Sequence, residues 1–229
     1  LVYGDGVGTD LSDRLYQGTG FVNVDINGNN VTWANSYESS FNKTYNISDS
    51  AGKDSKGSLT ISNISSVANI ISNGEGTNVV LQTSGELDSI GGNGDFTTNL
   101  TGKLTIGSIQ GDAKTGIPAF TGNLTVGPVV GGGTTFCLTL DSANTATTRF
   151  GLNIQATNTG NGLDLSNAMN GKTLYLNKLE GTGVISFREN NDSKVQTTVD
   201  LLLTEDTTWS GRVYIGEAND NTHIINLTL

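Results

Sequence analysis

The stretch Leu100-Thr-Gly-Lys-Leu-Thr-Ile-Gly107 recurs 20 residues later as Phe120-Thr-Gly-Asn-Leu-Thr-Val-Gly127. A third copy is Trp209-Ser-Gly-Arg-Val-Tyr-Ile-Gly216, and a weaker copy is Ser55-Lys-Gly-Ser-Leu-Thr-Ile-Ser62. In each copy a glycine at the third position precedes a segment in which apolar and polar residues alternate. The alternation predicts a β-strand with one apolar face, and the glycine allows backbone angles that a Cβ would forbid.

The spacing of the four copies predicts stacked coils of β-structure. Successive motif glycines are 45, 20 and 89 residues apart: Gly57, Gly102, Gly122 and Gly211. These distances are close to two, one and four units of about 20–23 residues, a period typical of solenoids. The stronger copies begin with a large apolar anchor that we expect in the interior: Leu100, Phe120 and Trp209. We therefore predict an all-β solenoid, a parallel β-helix of about ten or eleven coils, with an antiparallel β-sandwich or jelly roll as the alternative.

The composition favours a thin, elongated core. The chain has 31 glycines, 2 prolines, 34% hydrophobic residues and 7% aromatic residues. Glycines punctuate turns, whereas prolines would remove donors from the ladder of a sheet. Apart from a single turn around Met169, at residues 166–170, the sequence predicts no helix, because its other apolar runs are short and have a period of two or less.

The sequence divides into an N-terminal β cap or entry region, residues 1–54, and a β-solenoid repeat region, residues 55–229. The entry region contains Asn27-Gly28, a strong hairpin signal that predicts antiparallel strands there. We interpret its aromatic residues as a cover for the end coil, whose open edge would otherwise template aggregation: Phe21, Trp33, Tyr37, Phe41 and Tyr45. The alternative is an aromatic platform that binds sugar.

The charge balance excludes several partners. The formal net charge is −10 and the sequence pI is about 4.4. A nucleic-acid-binding domain needs a basic surface to displace counterions, and anionic lipid attracts basic segments. The sequence contains no run of 18 apolar residues, so it predicts no membrane insertion.

The residues that catalysis would need are sparse. The single histidine, His223, excludes a multi-histidine metal site, and the single cysteine, Cys137, excludes an internal disulfide. No nucleophile elbow or phosphate-binding loop is present. Enzymes that cleave polysaccharides use paired carboxylates, but three acidic clusters lack a basic partner in a recognisable pattern: residues 189–192, 205–206 and 217–220. We therefore predict that the chain is not an enzyme and has no cofactor, with calcium as the one candidate ion.

The calcium candidate lies near the N-terminus. The piece Gly6-x-Gly8-x-Asp10 is similar to one copy of a calcium-binding nonapeptide repeat. Such repeats bind calcium because consecutive copies stack their carboxylates. The candidate ligands are Asp5, Asp10 and Asp13, and an ordinary turn is the alternative.

Eight Asn-x-Ser/Thr sequons lie along the chain and make several asparagines candidates for glycosylation. The candidate sites are Asn30, Asn42, Asn46, Asn63 and Asn191. For Asn99 and Asn123, which recur near the repeat, we predict asparagine ladders between coils instead.

The repeats are similar to the autotransporter-associated β-strand repeats of bacterial surface proteins. The resemblance lies in Phe120–Gly127, Trp209–Gly216 and Leu179-Glu-Gly-Thr-Gly-Val-Ile-Ser186, and it extends over residues 55–216. Proteins of that type carry right-handed parallel β-helix passengers at the cell surface and usually act as adhesins or scaffolds. The resemblance therefore implies a right-handed β-helix outside the cell, although residues 1–50 do not match the pattern.

Three functions are compatible with these features. The first hypothesis is a non-catalytic, extracellular, surface-displayed β-solenoid that serves as an adhesin or stalk segment. The second is a subunit of a self-assembling, pilus-like extracellular filament that donates its terminal strand. The third is a carbohydrate-active β-helix enzyme. The expected partner is a host or cell-surface glycan or protein, or further copies of the chain.

Overall fold

The computed structural model of this chain is all-β, with two sheets of parallel strands and almost no helix. It describes residues 1–12, 20–34, 43–63, 68–128, 138–155, 162–165, 167–186, 196–202, 207–214 and 222–228. Over these ranges each sheet has nine strands.

The odd-numbered strands form one sheet, here called the odd sheet: β1 (Gly20–Asp25), β3 (Lys43–Ser48), β5 (Ala68–Asn73), β7 (Gly85–Gly91), β9 (Leu104–Ser108), β11 (Leu138–Leu140), β13 (Gly162–Leu165), β15 (Val184–Ser186) and β17 (Arg212–Tyr214). The even-numbered strands form the other, the even sheet: β2 (Asn30–Trp33), β4 (Ser58–Ile61), β6 (Asn78–Leu81), β8 (Asp95–Thr98), β10 (Asn123–Val126), β12 (Phe150–Ile154), β14 (Thr173–Gly181), β16 (Gln196–Leu202) and β18 (Thr222–Thr228). A 3₁₀ helix spans Asn167–Met169, where the sequence predicted a single helical turn.

Successive strands alternate between the two sheets, and every neighbouring strand pair within a sheet is parallel. One odd strand and the even strand after it form what we call a coil. This arrangement is consistent with a β-helix or solenoid. The antiparallel β-sandwich is wrong for the described strands, and these strands make nine coils rather than ten or eleven.

A single apolar core fills the space between the sheets in the described part of the chain. Phenylalanines of successive coils stack through it: the ring centroids of Phe96 and Phe120 are 5.6 Å apart, and those of Phe120 and Phe150 are 5.4 Å apart. Of the predicted anchors, Leu100 and Phe120 are fully buried. Trp209 is half-buried against the core and donates its indole N–H to the Gly183 carbonyl oxygen at 3.3 Å.

The predicted 20-residue unit is wrong, because the two best copies of the motif lie in different sheets. Gly102 precedes β9 of the odd sheet, whereas Gly122 precedes β10 of the even sheet, so the two glycines do not stack. The coils also vary in length. The offset between paired residues ranges from 17 positions, between Asn78 and Asp95, to 34 positions, between Leu104 and Leu138.

The motif glycines are needed for close approach rather than for unusual backbone angles. None of the four has a positive φ. A Cβ on Gly122 would collide with the carbonyl oxygen of Gly94 in the preceding coil, and one on Gly211 would collide with that of Gly183. A Cβ placed on Gly57 would lie 2.7 Å from the carbonyl carbon of Gly28. At these three positions the glycine marks the place where one coil lies directly on the backbone of the next, whereas a Cβ on Gly102 would lie 3.0 Å from the Ser84 side chain.

The prediction of antiparallel strands in the entry region is wrong. The strand pairs β1–β3 and β2–β4 are parallel, and β1 and β2 belong to different sheets. The Asn27-Gly28 turn does form, with positive φ at both residues, but it carries the chain from one sheet to the other.

Residues 1–12 begin the stack and cover part of its end. Val2 forms a parallel bridge with Asp25 of β1. Tyr3 is 2% exposed, and its hydroxyl accepts a hydrogen bond from the indole N–H of Trp33 at 3.1 Å. The end of the stack is therefore covered by Tyr3, which the sequence-based prediction had not included, in contact with Trp33.

The segment between β9 and β10 crosses the outer face of the odd sheet. We call residues 110–119 the strap. Asp112 and Ile117 close it with an antiparallel bridge, whose two backbone hydrogen bonds are 2.7 and 3.0 Å. A Cβ placed on Gly116 would lie 3.5 Å from the Phe21 ring, so the tip of the strap reaches β1.

The strap buries outward-facing residues of the odd sheet. A Cβ on Gly91 of β7 would lie 3.3 Å from the Ile117 side chain and would collide with the Pro118 carbonyl oxygen. Ile71 of β5 is paired in register with Gly91 and is only 2% exposed, although it lies outside the main core. A second, small apolar contact therefore forms outside the stack.

Candidate functional site

Outward-facing side chains of the even sheet form a continuous column across seven strands. The register places them one above another: Thr32, Thr60, Val80, Thr97, Thr125, Asn153 and Glu180. Each is exposed or half-buried, and all except Glu180 lie between two buried neighbours. Because neighbouring strands lie about 4.8 Å apart, this outer column presents hydroxyl and amide groups at a regular spacing.

The strand positions beside the outer column are also nearly uncharged in the first five coils. These positions hold Asn30, Ser58, Asn78, Asp95 and Asn123. One Asp95 carboxylate oxygen accepts hydrogen bonds from the Asn123 backbone N–H at 3.0 Å and from its side-chain amide at 2.9 Å. A chain with a net charge of −10 thus keeps this part of its surface almost free of ionic groups.

The outer column ends in a groove of about 550 Å³. Among the described residues, the groove is lined by Asn153, Gln155, Glu180, Gly181, Thr182, Thr208 and Ser210. It lies where the chain leaves β12 and β14 of the even sheet, and where the segment before β17 passes the same corner. We call it the corner groove.

Backbone pairing holds the three layers of the corner groove in register. The N–H of Gly181 donates to the Thr208 carbonyl oxygen at 3.1 Å, and the N–H of Ser210 donates to that of Gly181 at 2.9 Å. In the layer below, Ile154 is paired with Gly181. The polar side chains consequently form a grid of two columns, with Asn153, Glu180 and Thr208 in one and Gln155, Thr182 and Ser210 in the other.

The grid offers hydrogen bonds that the described part of the protein does not use. The side-chain oxygen of Asn153 is buried and accepts no hydrogen bond. Four lining residues, Gln155, Thr182, Thr208 and Ser210, are exposed. Amide groups donate and accept, and hydroxyl groups do both as well, so the groove can match a ligand that also carries both functions.

Among the described residues that line the corner groove there is one carboxylate, Glu180, and it is paired. Glu180 lies 3.2 Å from the Lys178 ammonium group, both side chains being partly exposed. Glycoside hydrolysis by the usual mechanisms requires two carboxylates on opposite sides of the bond that is cleaved. The described lining supplies one of these two carboxylates.

An arginine clamp joins three even strands on the same outer face. The Arg149 guanidinium donates to the Leu176 carbonyl oxygen at 2.9 Å, to the Asp200 carbonyl oxygen at 3.1 Å and to the Asp200 carboxylate at 2.6 Å. It also lies 5.1 Å above the centre of the Tyr175 ring. Because each partner belongs to a later coil, the clamp ties β12, β14 and β16 together.

The calcium candidates are engaged in protein hydrogen bonds where the structure describes them. One Asp10 oxygen accepts from the Ser12 N–H and hydroxyl, and the other accepts from the Ala34 N–H at 2.9 Å. Asp5 accepts from the Asn27 side chain at 3.0 Å. No group of three potential metal ligands occurs among the described residues. Asp13 lies outside them, so the three-carboxylate site stays a prediction.

The aromatic residues of the entry region do not share an open surface where they are described. Trp33 is 3% exposed, and the half-buried Tyr45 packs against it with ring centroids 5.6 Å apart. Phe21, by contrast, is on the outer face of the odd sheet beside the strap. Tyr37 and Phe41 lie outside the described residues. Trp33 and Tyr45 thus belong to the interior rather than to a sugar platform.

The candidate glycosylation sites differ in accessibility. Asn30 and Asn63 are exposed. Asn46 is half-buried in an asparagine ladder, donating to Asn23 at 2.8 Å and accepting from Asn73 at 2.6 Å. The ladders predicted for the later sequons take another form, since Asn123 bonds to Asp95, and no side-chain hydrogen bond joins it to Asn99. Two candidates lie outside the described residues: Asn42 and Asn191.

The remaining residues considered for chemistry lie in other places. His223 is in β18, paired in register with Thr197. Cys137 and the three acidic clusters, at 189–192, 205–206 and 217–220, lie outside the described residues. No helix in the described ranges is long and apolar enough to cross a membrane.

Sequence reasoning missed the corner groove. Its signal was a pair of polar residues two positions apart, at the end of a strand in Asn153-x-Gln155 and Glu180-x-Thr182 and before a strand in Thr208-x-Ser210. Such pairs are common in β proteins, and the coil lengths were needed to place them side by side.

Comparison with known proteins provides no relative. No protein-family model matches the chain, and neither a curated protein nor a solved structure is similar to it.

Proposed function

We propose that this chain is a non-catalytic β-solenoid segment, a right-handed parallel β-helix, which is displayed at a cell surface as a stalk or adhesin. The observation that supports this most directly is the linear order of both sheets, in which each strand pairs with the strands two places before and after it in the chain. Nine strands at about 4.8 Å spacing give a stack about 38 Å long, and a linear stack extends by adding coils.

The surface chemistry supports a binding or spacing role rather than catalysis. The outer column is composed of threonine, asparagine and one valine before it reaches Glu180. The corner groove has a single carboxylate among its described lining residues. A net negative charge favours solubility of a long exposed surface.

Electron microscopy of intact cells and of the purified chain tests this proposal. Antibody labelling should decorate the outside of unbroken source cells, and the purified chain should appear as single, short rods. Label found only after the cells are opened would overturn the surface assignment. Rods that join end to end would favour the filament subunit instead.

A turnover assay on the same preparation tests the absence of catalysis. Incubation with a panel of plant, animal and bacterial polysaccharides should produce no new reducing ends. Release of reducing ends, retained in a repurified sample, would favour the carbohydrate-active enzyme.

A further inference from the structure

We infer that the corner groove binds a neutral, hydroxyl-rich oligosaccharide. This inference rests on the proposed function and specifies its partner: a surface-displayed solenoid would hold a glycan chain across three successive coils at one corner. The lining side chains are those of the grid described above: Asn153, Gln155, Glu180, Thr182, Thr208 and Ser210.

The polarity of the lining indicates the ligand class. Sites for apolar small molecules are lined mainly by hydrophobic side chains, but the described lining of this groove contains none. Peptide recognition ordinarily uses a free strand edge or an apolar pocket. Here the backbone of Gly181 is already paired with that of Thr208 and Ser210, so the side chains are the groups left to bind.

The charge of the groove selects a neutral ligand. A phosphate, sulfate or uronate needs a cationic partner, and such pairs normally use arginine or lysine. Among the described residues beside the groove, Lys178 is paired with Glu180 at 3.2 Å. An acidic glycan would therefore face the Glu180 carboxylate, and none of the described lining residues is cationic. A sugar hydroxyl, by contrast, can donate to Glu180 and accept from Thr182.

The side-chain oxygen of Asn153 lacks a hydrogen-bond donor, which favours binding of a ligand that supplies one. This oxygen is buried beside Gly181, 2.9 Å from the position that a Cβ would occupy there, and has no hydrogen-bond partner. A buried acceptor without a partner is costly. Rotation of the amide toward the groove would let a ligand hydroxyl supply the missing hydrogen bond.

The test uses the complete chain and a printed array of oligosaccharides. The neutral probes are gluco-, manno-, galacto- and xylo-oligosaccharides, and the acidic probes are sialylated and uronate-containing chains. We expect binding to at least one neutral series and none to the acidic probes. Failure to bind any neutral series, or binding to acidic probes alone, would overturn the inference.

Isosteric variants assign the binding to the groove. Thr182→Val and Thr208→Val each remove an exposed hydroxyl and keep the side-chain shape, so the fold is retained. Each should weaken binding to the neutral probe about fivefold, the ordinary contribution of one hydrogen bond, as measured by titration calorimetry. Thr121→Val, an exposed threonine before β10 that lies outside both the groove and the outer column, is the matched control and should bind like the parent chain.

The two proposals fail in different ways. If the groove variants bind as tightly as Thr121→Val, the inference is wrong even if cell labelling still places the protein on the surface. If the groove binds neutral glycans but the protein is found only inside cells, the proposed function is wrong and the groove assignment stands.

Discussion

The outer faces of the two sheets are built from similar residues but have different exposure. On the odd sheet, several outward-facing residues are buried: Thr44, Ile71, Ser89, Thr139 and Ser186 are between 0 and 8% exposed. On the even sheet, the outer column from Thr32 to Glu180 is exposed or half-buried throughout. Strand sequence alone therefore does not decide which face of a coil meets solvent.

The difference originates in the connections between strands. The longest offset within either sheet, from Leu104 to Leu138, includes the strap, and the strap packs on the odd sheet at Gly91. The even sheet has no such cover over β2–β10 among the described residues. Long connections in solenoids commonly lie on one face, and here the strap leaves the opposite face uncovered.

The largest effect should come from placing a charge on each face in turn. Ile71→Asp and Val80→Asp change outward apolar residues of adjacent strands, β5 and β6, which belong to different sheets. The first should lower the free energy of unfolding by about 3 kcal/mol or more, because it buries an unpaired carboxylate. The second should cost less than about 1 kcal/mol, because its side chain reaches water. Urea unfolding at neutral pH measures both.

Proteolysis shows whether the strap is responsible for that difference. Lys114 is an exposed residue of the strap, and trypsin cleaves after lysine when the local backbone opens. Cleavage there should be faster in Ile71→Asp than in Val80→Asp. Equal losses of stability with equal cleavage rates would mean that the strap does not protect the odd face.

The arginine clamp provides an intermediate effect and limits how open the even face is. Arg149→Met keeps most of the side-chain length but removes hydrogen bonds to the Leu176 carbonyl oxygen and to Asp200. It should cost about 1.5–3 kcal/mol, the range for hydrogen bonds that involve a charged group. Lys178→Met, which removes the partly exposed pair with Glu180, should cost less than about 1 kcal/mol.

Thermal and urea unfolding of these two variants would test the ranking. If the free energy of unfolding falls as much in Lys178→Met as in Arg149→Met, the clamp stabilises the protein no more than a surface ion pair does, despite its burial and its several acceptors. The even face would then be stabilised in the same way along its length.

The fold could be predicted to the level of parallel strands with a thin core. The alternation in Leu104-Thr-Ile106 and Leu124-Thr-Val126 corresponds to strands β9 and β10, with the apolar residues fully buried. The period could not be predicted, because the same motif begins strands in both sheets. The interval from Gly102 to Gly122 contains β9 and the strap rather than one repeating unit.

The residues of the Asn27-Gly28 turn predicted its backbone conformation, but they did not predict which strands would pair. Asn27-Gly28 adopts the positive φ angles that the residue types favour. In a hairpin the same turn would place β1 beside β2, but here the apolar residues on both sides face one core from opposite sheets. Which of these forms is favoured depends on pairing with β3 and β4, more than ten residues away.

The corner groove lies beyond what local patterns can establish. Its side chains come from three coils, and Asn153 and Ser210 are brought together only by the lengths of the intervening coils. A bulge between Phe150 and Gly151 in the pairing of β12 with β14 shifts that register by one residue. A one-residue shift moves every side chain to the other face of a strand, so the grid could not be deduced from the sequence.

The smallest effect concerns two aspartates of the odd face whose pKa values shift in opposite directions. Burial, followed by the nearby charge of Glu86, raises the pKa of Asp88 in β7 above its ordinary value of 3.8. Hydrogen bonds from the Lys114 backbone and the Thr115 side chain lower the pKa of Asp112 in the strap. The covered strand therefore disfavours a negative charge, whereas the exposed strap turn favours one.

These directions fix the sign of the pH dependence. The Asp88 contribution to stability is fully present below its unfolded pKa and is lost as the pH rises through its raised folded pKa. Asp88→Asn should therefore stabilise the chain at pH 7, by less than about 1 kcal/mol, with the gain disappearing below about pH 3.8.

The Asp112 contribution is present above the unfolded pKa and is lost on acidification, so Asp112→Asn should destabilise the strap at pH 7 and make little difference in acid. Urea unfolding of both variants, compared at pH 7 and in acid, measures the two effects, and trypsin cleavage after Lys114 at pH 7 reports on the strap in Asp112→Asn. If Asp88→Asn instead loses stability at pH 7, the covered face tolerates the negative charge. Burial of the odd face would then not disfavour a charge, and the two faces would not differ in this respect.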